Sequence, residues 1–258
     1  MSREPTLLHI AFSPWSEKAR WALEARGVAY RSRHYQPLFG EPELRVRLRR
    51  WRGPVTVPLL VADGETLGDS FAIARWAAAR GQGPDLFPPG SDEAMARWNA
   101  LSERGLAAGR GLSLARVLES KDALRELVPK PLRRVLGPAG PVVAAGGVRR
   151  TLRKYGATRG DHRAALVEVL DALRAGLAAV AGRADGARSL LPGHAFTYAD
   201  IAMAQVLAFV TPPASGLRVG RHNRHAFTDA ELAAGYADLL AWRDDLYTRH
   251  RGAATRPG

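Results

Sequence analysis

The sequence predicts an α/β domain over residues 1–82 and an all-α domain over residues 91–250. In the first part, short apolar runs bounded by turn residues alternate with segments whose apolar residues recur at helical spacing. The segment from Gly81 to Gly90 is rich in glycine and proline, as linkers are, and residues 83–90 are assigned to the linker. Beyond the linker only helical spacing recurs, and residues 251–258 are predicted to be a tail.

The first strand and the first helix meet at Ser13. The apolar run from Leu7 to Phe12 is typical of a buried strand, and the apolar helical stripe that follows it stops at Gly27. Ser13 is a favourable N-cap, and Pro14 suits the first helical position, where an N–H is not needed. The strand therefore brings a hydroxyl to a helix N-terminus, whose partial positive charge favours an anion such as a thiolate. The alternative is that Ser13 only caps the helix.

Further strands complete the α/β domain. Ala29 to Tyr35 is predicted as the second strand, and Val57 to Val61 as the third. Pro58 near the start of the third strand indicates an edge, a turn or a cis peptide bond. Asp63-Gly64 predicts a hairpin to a short returning strand, after which Asp69-Ser70 opens another helix. With a linking helix between the second and third strands, this order of elements is thioredoxin-like.

Four short motifs follow one another along the chain: Ser13-Pro14-Trp15-Ser16-x-Lys18, Val57-Pro58, Asp69-Ser70 before a helix, and Thr197-Tyr198-Ala199-Asp200-Ile201. Each is common alone, but in this order and at about these separations they are fairly specific. On these motifs the chain resembles the glutathione transferase superfamily. The resemblance is good over residues 6–80, fair over 190–250 and poor between 105 and 160. It implies a thioredoxin-like N-terminal domain followed by an all-helical C-terminal domain.

The resemblance also implies a serine-type glutathione site without a metal, in which glutathione is a co-substrate. Ser13 would donate a hydrogen bond to the sulfur and stabilise the thiolate at the helix N-terminus. The backbone of Val57, beside a cis Pro58, would pair with the cysteinyl part of the peptide. Asp69 would pair with the ammonium of the γ-glutamyl end, and Ser70 with the helix N-terminus would bind its carboxylate.

Two parts of the expected ligand site are less defined. In many relatives a lysine before the Val-Pro pair binds the glycine carboxylate of glutathione. That lysine is absent here, so Arg49 or Arg52 is the candidate replacement, with a solvated charged face as the alternative. A small hydrophobic electrophile would lie between the domains. The candidate residues for the walls of this pocket are Trp15, Met95, Trp98 and Phe209. For each of them the alternative is a place in the hydrophobic core.

The helical domain contains three features of note. Thr197 and Asp200 form a capping box, in which Thr197 is the N-cap and Asp200 reaches back to it, so their expected role is in folding. The basic, proline-rich stretch 129–160 is either a lid over the second-substrate pocket or an irregular surface insertion, and the insertion is favoured. His222 and His225 have the spacing of two metal ligands on a helix, but a surface loop is favoured because no third ligand is evident.

The composition argues against several classes of protein. Without cysteine there is no disulfide, no thiolate metal site and no cysteine nucleophile. No apolar run reaches the roughly 18–20 residues of a membrane span, and the start lacks an apolar signal region, so a cytoplasmic location is expected. The formal net charge is +13. Because the arginines are spread along the chain without interleaved aromatic residues, a solvated surface is favoured over binding to nucleic acid or another polyanion.

We therefore predict a glutathione transferase-like homodimer that adds the thiolate of glutathione to a small hydrophobic electrophile. Isomerisation or reductive cleavage would use the same thiolate, and the sequence does not distinguish these reactions. Two other hypotheses stay open: a non-enzymatic protein that keeps this fold for binding or assembly, and a polyanion-binding protein. Retention on immobilised glutathione tests the first, and salt-sensitive association with DNA or acidic vesicles tests the second.

Overall fold

The computed structural model describes residues 4–35, 41–53, 55–156, 160–181 and 188–251. Residues 252–258 of the predicted tail lie outside these ranges. An α/β part is followed by helices alone, which confirms the predicted fold class.

The α/β domain contains β1 (Thr6–His9), α1 (Pro14–Ala25), β2 (Arg31–His34), α2 (Glu41–Leu48), β3 (Leu59–Ala62), β4 (Glu65–Leu67) and α3 (Ser70–Arg80). The strands form one sheet in the order β2-β1-β3-β4. β1 runs parallel to β2 and antiparallel to β3, which pairs antiparallel with β4. This is the predicted order of elements.

Helices cover both faces of the sheet. Adjacent residues of a strand point to opposite faces. Leu7 packs with Leu23 of α1 and Ile73 of α3, whereas Leu8 packs with Leu44 of α2. β1 is therefore buried, as its apolar run predicts, but it ends at His9 and leaves the next four residues to lead into α1.

The remaining elements are helices: α4 (Asp92–Glu119), α5 (Lys121–Leu127), α6 (Lys130–Leu136), α7 (Gly140–Lys154), α8 (His162–Ala179), α9 (Tyr198–Val206), α10 (Arg221–Phe227), α11 (Ala230–Gly235) and α12 (Ala237–Leu246). Short 3₁₀ turns lie at Gly137–Ala139 and Leu207–Phe209, and a π-helical turn ends the described chain at Tyr247–Arg251. α4 is the central helix, because it packs against α8, α9 and α10.

Glycines on α4 allow its close contact with the segment around α9. A Cβ atom on Gly105 would lie 2.7 Å from Val206 Cγ1, and one on Gly109 would lie 2.5 Å from the Cβ of Phe209. Because side-chain carbons do not approach so closely, only glycine fits at these positions. Gly105 and Gly109 are therefore packing positions within α4 and do not end the helix.

The capping box at the start of α9 is confirmed, and Asp200 does more than cap. The fully buried carboxylate accepts hydrogen bonds from the Thr197 N–H at 2.7 Å and the Thr197 hydroxyl at 2.9 Å. It also accepts from the Leu190 N–H and the Ser189 hydroxyl, both at 2.7 Å. Burial raises the pKa of Asp200, and these hydrogen bonds oppose the rise. Asp200 thus also holds the loop that precedes α9.

The favoured interpretation of residues 129–160 as an irregular insertion is wrong, because α6 and α7 occupy most of this stretch. Pro131 and Pro141 lie in the first turns of these helices, where a missing N–H is tolerated. α7 packs into the core through residues that include Val148 and Leu152.

His222 and His225 lie on α10, a short helix, and not in the expected loop. Both side chains are exposed. Within the described ranges, no group of three or more His, Cys, Asp or Glu residues is arranged to hold a metal ion.

Buried charges join the end of the chain to α1. The fully buried Glu17 accepts hydrogen bonds from Arg20 Nε at 2.9 Å and from Arg251 Nε at 2.7 Å. Arg251 also pairs with Glu24, and the Trp21 indole donates to the carbonyl oxygen of His250 at 3.1 Å. Arg251, the first residue of the predicted tail, is only 7% exposed. The ordered contacts of the helical part therefore extend through Arg251.

Candidate functional site

One cavity between the sheet and the helical domain is lined by all five residues that were predicted to form the glutathione site. Its volume is about 660 Å³. One wall consists of the segment from β1 into α1, the segment before β3 and the N-terminus of α3. The facing wall comes from α4, α7 and the 3₁₀ turn after α9. The five residues lie on the first wall: Ser13, Val57, Pro58, Asp69 and Ser70.

Ser13 is the N-cap of α1, as predicted, and Pro14 follows at the first helical position. The Ser13 Oγ accepts a hydrogen bond from the Ser16 N–H at 3.5 Å. A hydroxyl also carries one donor, and Ser13 gives its proton to no acceptor among the described residues. Capping therefore leaves the O–H of Ser13 free to bind a ligand. Within the same part of the chain, the backbone N–H of Trp15 also lacks a hydrogen-bond partner.

The other polar residues of the first motif are engaged inside the protein. The Ser16 hydroxyl is fully buried and accepts from the Ile10 N–H at 3.1 Å. Lys18 is also fully buried, and its Nζ donates to Glu103 at 2.7 Å and to Asn99 at 3.2 Å. Burial lowers the pKa of Lys18, while the charge of Glu103 acts to raise it. Lys18 therefore fixes α1 to α4 and sets the distance between the two cavity walls.

Val57 and Pro58 are joined by a cis peptide bond, one of the alternatives that the sequence predicts. Both residues precede β3 and line the cavity. The N–H and C=O groups of Val57 make no backbone hydrogen bond within the ranges that the structure describes. They are therefore available to an extended peptide ligand.

Asp69 and Ser70 stand at the N-terminus of α3. Asp69 is its N-cap and accepts a hydrogen bond from the Ala72 N–H at 3.3 Å. This occupies one carboxylate oxygen, and the exposed side chain lines the cavity. Ser70 is 1% exposed, and its Oγ, which lies against Tyr198, has no hydrogen-bond partner of ordinary geometry among the described residues. Both side chains therefore have capacity to bind a ligand at a helix N-terminus.

Two of the four candidate walls line the cavity. Trp15 and Phe209 face each other with their ring centroids 6.4 Å apart, and the Trp15 indole donates to Glu103 at 2.6 Å. Met95 and Trp98 are core residues instead. Trp98 packs so closely on the helix backbone of α8 that no Cβ would fit on Gly176.

α7 supplies basic residues that the sequence analysis missed. The Lys154 Nζ donates to the carbonyl oxygen of Val55 at 2.7 Å, just before the Val57-Pro58 pair. Arg150, one turn earlier on the same face, pairs with Glu41 at 3.0 Å. Burial lowers the pKa of Lys154, while Glu41 acts to raise it. This end of the cavity is therefore basic.

Arg49 and Arg52, the candidate replacements for the missing lysine, do not line the cavity. Arg52 is exposed, and Arg49 lies just beyond the end of α2. The spacing of Arg150 and Lys154 is visible in the sequence, but it carries information only once residues 140–154 are recognised as a helix.

Arg110 is a further cavity residue that the sequence analysis missed. It lies on one face of α4, with Glu103, Ala107 and Leu114 at helical spacing. Its guanidinium carbon is 4.7 Å from the ring centroid of Trp15 and 3.9 Å from that of Tyr155. The cavity therefore holds a cation between two aromatic rings.

A smaller cavity of about 540 Å³ lies beyond the C-terminal end of α1, around Arg26, Trp76 and Arg80, and is lined by none of the predicted site residues. No helix in the described part of the chain is both long enough and apolar enough to cross a membrane.

Two family models match the sequence. The model of the glutathione S-transferase N-terminal domain matches residues 12–80, and that of the glutathione S-transferase C-terminal domain matches residues 123–245. Together they cover most of the chain. No curated protein matches the sequence.

Solved structures share the fold at low sequence identity. The glutathione transferase GSTFuA3 from Phanerochaete chrysosporium has a TM-score of 0.65 and 15% identity, covering 99% of this chain and 100% of its own. GSTFuA2 from the same organism has a TM-score of 0.63 and 16% identity, and the match covers 98% of this chain and 100% of GSTFuA2. A glutathione S-transferase from Methylobacillus flagellatus, solved with GSH bound, has a TM-score of 0.55 and 17% identity, covering 95% and 96%.

Proposed function

The chain belongs to the glutathione S-transferase family, and from this premise we propose that it binds glutathione in the large cavity and adds its thiolate to an apolar electrophile. The observation that carries the proposal is the meeting of Ser13, Val57, Pro58, Asp69 and Ser70 on one wall of that cavity. These residues come from three separate segments, each of which offers unused hydrogen-bonding groups there.

Ser13 is proposed to stabilise the thiolate. A free thiol has a pKa of about 8.5, so little glutathione is ionised at neutral pH. The free O–H of Ser13 would donate to the sulfur, while the α1 N-terminus adds partial positive charge. Lowering the thiol pKa by two units requires about 2.7 kcal/mol, which two such contacts can supply.

The rest of glutathione is proposed to lie along the same wall. The open carboxylate oxygen of Asp69 would pair with the γ-glutamyl ammonium, and Ser70 would donate to the neighbouring carboxylate. The free backbone groups of Val57 would pair with the cysteinyl residue. Lys154 uses one of its three donors on Val55, so two remain for the glycine carboxylate, with Arg150 adding charge nearby.

The electrophile is proposed to occupy the part of the cavity that faces the helical domain. Apolar side chains dominate there, and Trp15, Leu114, Phe209 and Phe227 line it. An apolar pocket next to the sulfur would bind the electrophile and exclude water from the thiolate.

Substitution of Ser13 tests this proposal. Ser13→Ala should raise the pKa of bound glutathione by about one to two units and slow turnover at neutral pH, with a small loss of affinity. Ser13→Thr keeps the hydroxyl and should retain most of the pKa shift. Thiolate absorbance of bound glutathione, titrated against pH, measures the shift in each variant.

Identical titration curves for Ser13→Ala and the parent would contradict the role of Ser13. They would favour the backbone N–H of Trp15 as the donor to the sulfur. Absence of glutathione binding to the parent at millimolar concentration would contradict the whole proposal and would favour the non-enzymatic alternative.

Assembly as a homodimer and a cytoplasmic location remain predictions. Exposed apolar side chains on the α/β domain support assembly, since Val46 is 60% exposed and Trp51 is 72% exposed. Sedimentation equilibrium should yield twice the chain mass, and a monomer at micromolar concentration would contradict the prediction.

A further inference from the structure

Arg110 is a charged residue that lines the large cavity and has no counter-ion among the described residues. It is half-buried, and its guanidinium contacts the rings of Trp15 and Tyr155. Within the part of the chain that the structure describes, it forms no ion pair and its Nε has no hydrogen-bond partner. Burial lowers the pKa of Arg110, although arginine stays charged at any ordinary pH.

The nearest acid does not neutralise Arg110. Glu103 lies two turns before Arg110 on the same face of α4, and its two carboxylate oxygens already accept from Lys18 Nζ and from the Trp15 indole. The positive charge of Lys154 acts on the same region as that of Arg110, whereas Arg150 beside it is paired with Glu41. A partly desolvated cation in this setting gains free energy when an anion binds to it.

The surroundings of Arg110 define what kind of anion fits. Leu114, one turn after Arg110 on α4, lines the same cavity, as do Leu127, Val148 and Phe209. A fully hydrated inorganic anion would lose its water against these side chains without replacement. An organic acid would place its apolar body against them and its charged group on the guanidinium.

We propose that Arg110 is a specificity-determining residue that binds the carboxylate of an apolar organic acid, so that the electrophile accepted by this protein carries a negative charge. The inference rests on the proposed function, since it names the class of the second substrate. The guanidinium is planar and touches both rings, and such contacts restrict its motion and favour a two-point contact with a carboxylate.

A matched pair of probes tests the inference by binding alone. 4-Nitrobenzoate and 4-nitrobenzamide share size and ring and differ in charge, and neither carries a halide for glutathione to displace. Isothermal titration of both probes, with and without glutathione, gives the preference of the parent protein for the acid. We expect the acid to bind at least about tenfold more tightly than the amide, as one charge-assisted contact provides.

Arg110→Met should remove that preference by weakening 4-nitrobenzoate about tenfold while leaving 4-nitrobenzamide nearly unchanged. Arg149→Met is the matched control, because it removes one positive charge from an exposed position of α7 outside the cavity. It should bind both probes as the parent does.

Equal affinity of the parent for acid and amide, or no measurable binding of either, would overturn the inference. An equal loss of affinity for both probes in Arg110→Met would also overturn it, because Arg110 would then be a packing residue. Weaker glutathione binding in Arg110→Met with unchanged affinity for 4-nitrobenzoate would assign it to the glutathione site and also overturn the inference. If the acid preference is present and depends on Arg110 while glutathione does not bind, the inference stands and only the proposed function fails.

Discussion

Asp69 has two tasks at the N-terminus of α3, and they can be separated. Its carboxylate caps the helix and, in the proposed function, pairs with the ammonium of glutathione. Asn caps a helix about as well as Asp but carries no charge. We expect Asp69→Asn to weaken glutathione binding by about 2 kcal/mol without changing the unfolding temperature. Calorimetric titration and thermal unfolding of the same samples measure the two effects.

Asp69→Ala is the comparison, because it removes both cap and charge. This variant should show the same loss of affinity for glutathione, and its unfolding free energy should also fall by about 1 kcal/mol. Parental affinity in Asp69→Asn would place the γ-glutamyl end elsewhere.

His9 is a buried base that makes folding sensitive to acid. It is 1% exposed, its Nδ1 is 3.2 Å from Arg20 Nη1, and its Nε2 is 2.8 Å from the hydroxyl of Ser32. Arg20 can only donate, so Nδ1 accepts and Nε2 carries the proton. Burial and then the charge of Arg20 lower the pKa of His9 from 6.5 to about 3, with His34 and Arg218 acting in the same direction.

A lowered pKa means that the unfolded chain binds the proton first. Above pH 6.5 His9 is neutral in both states, so its contribution to stability is complete; between pH 6.5 and 3 it falls by up to about 1.4 kcal/mol per pH unit. His9→Gln should therefore reduce the slope of unfolding free energy against pH between pH 6 and 4, as measured by urea denaturation. The exposed His225→Gln is the control, and equal slopes in the two variants would contradict the prediction.

The glycines of the helical elements differ in what surrounds them. Gly109 on α4 faces Phe209, and a Cβ there would lie 2.5 Å from the Cβ of that residue. Gly146 on α7 has no atom within 4 Å of the same position. Gly109→Ala should therefore destabilise the protein by about 1–3 kcal/mol, whereas Gly146→Ala should stabilise it by up to about 1 kcal/mol. Urea unfolding of both variants tests the opposite signs.

A loss of stability in Gly146→Ala similar to that in Gly109→Ala would contradict this account of the packing. Because Phe209 also lines the cavity, Gly109→Ala should in addition weaken the binding of an apolar probe.

Local sequence predicted the elements whose ends are set by their own residues. Ser13 and Pro14 start α1, and the interaction of Thr197 with Asp200 starts α9, because caps act over three or four residues. α7 was missed because Pro141 and its three glycines act as helix breakers in isolation. Its stability comes from packing of one face on the core, which local propensity does not contain.

The residues of the candidate site also fall into two groups: those that local sequence predicts and those whose position depends on tertiary packing. Ser13, Val57 and Asp69 belong to short motifs and were predicted, and all three line one cavity. Arg110 and Lys154 were missed because their positions depend on how α4 and α7 face the α/β domain. A cation on a helix is usually a solvated surface residue, and only the tertiary contacts show that Arg110 and Lys154 line the cavity.

On the scale of the whole molecule, a buried ion pair joins the first helix to the last residue that the structure describes. Glu17 of α1 and Arg251 are 234 residues apart in sequence and both are buried. Burial acts to lower the pKa of Arg251, but Glu17 and Glu24 raise it overall. No local pattern predicts such a pair, which is why the sequence analysis assigned Arg251 to a tail.

Removing Arg251 should weaken the attachment of the α/β domain to the helical domain. In Arg251→Met, the fully buried Glu17 keeps Arg20 but loses one of its two cations, and a buried pair broken in this way costs about 3 kcal/mol. Arg249→Met is the matched control, since it removes an exposed cation that pairs with Asp245 and should cost no more than about 0.5 kcal/mol. Urea unfolding of the parent and both variants measures the difference.

Glutathione binding under native conditions should stay at the parental level in both variants, because neither residue lines the cavity. Equal unfolding free energies for Arg251→Met and Arg249→Met would show that the buried charges at the end of the chain do not hold the two domains together.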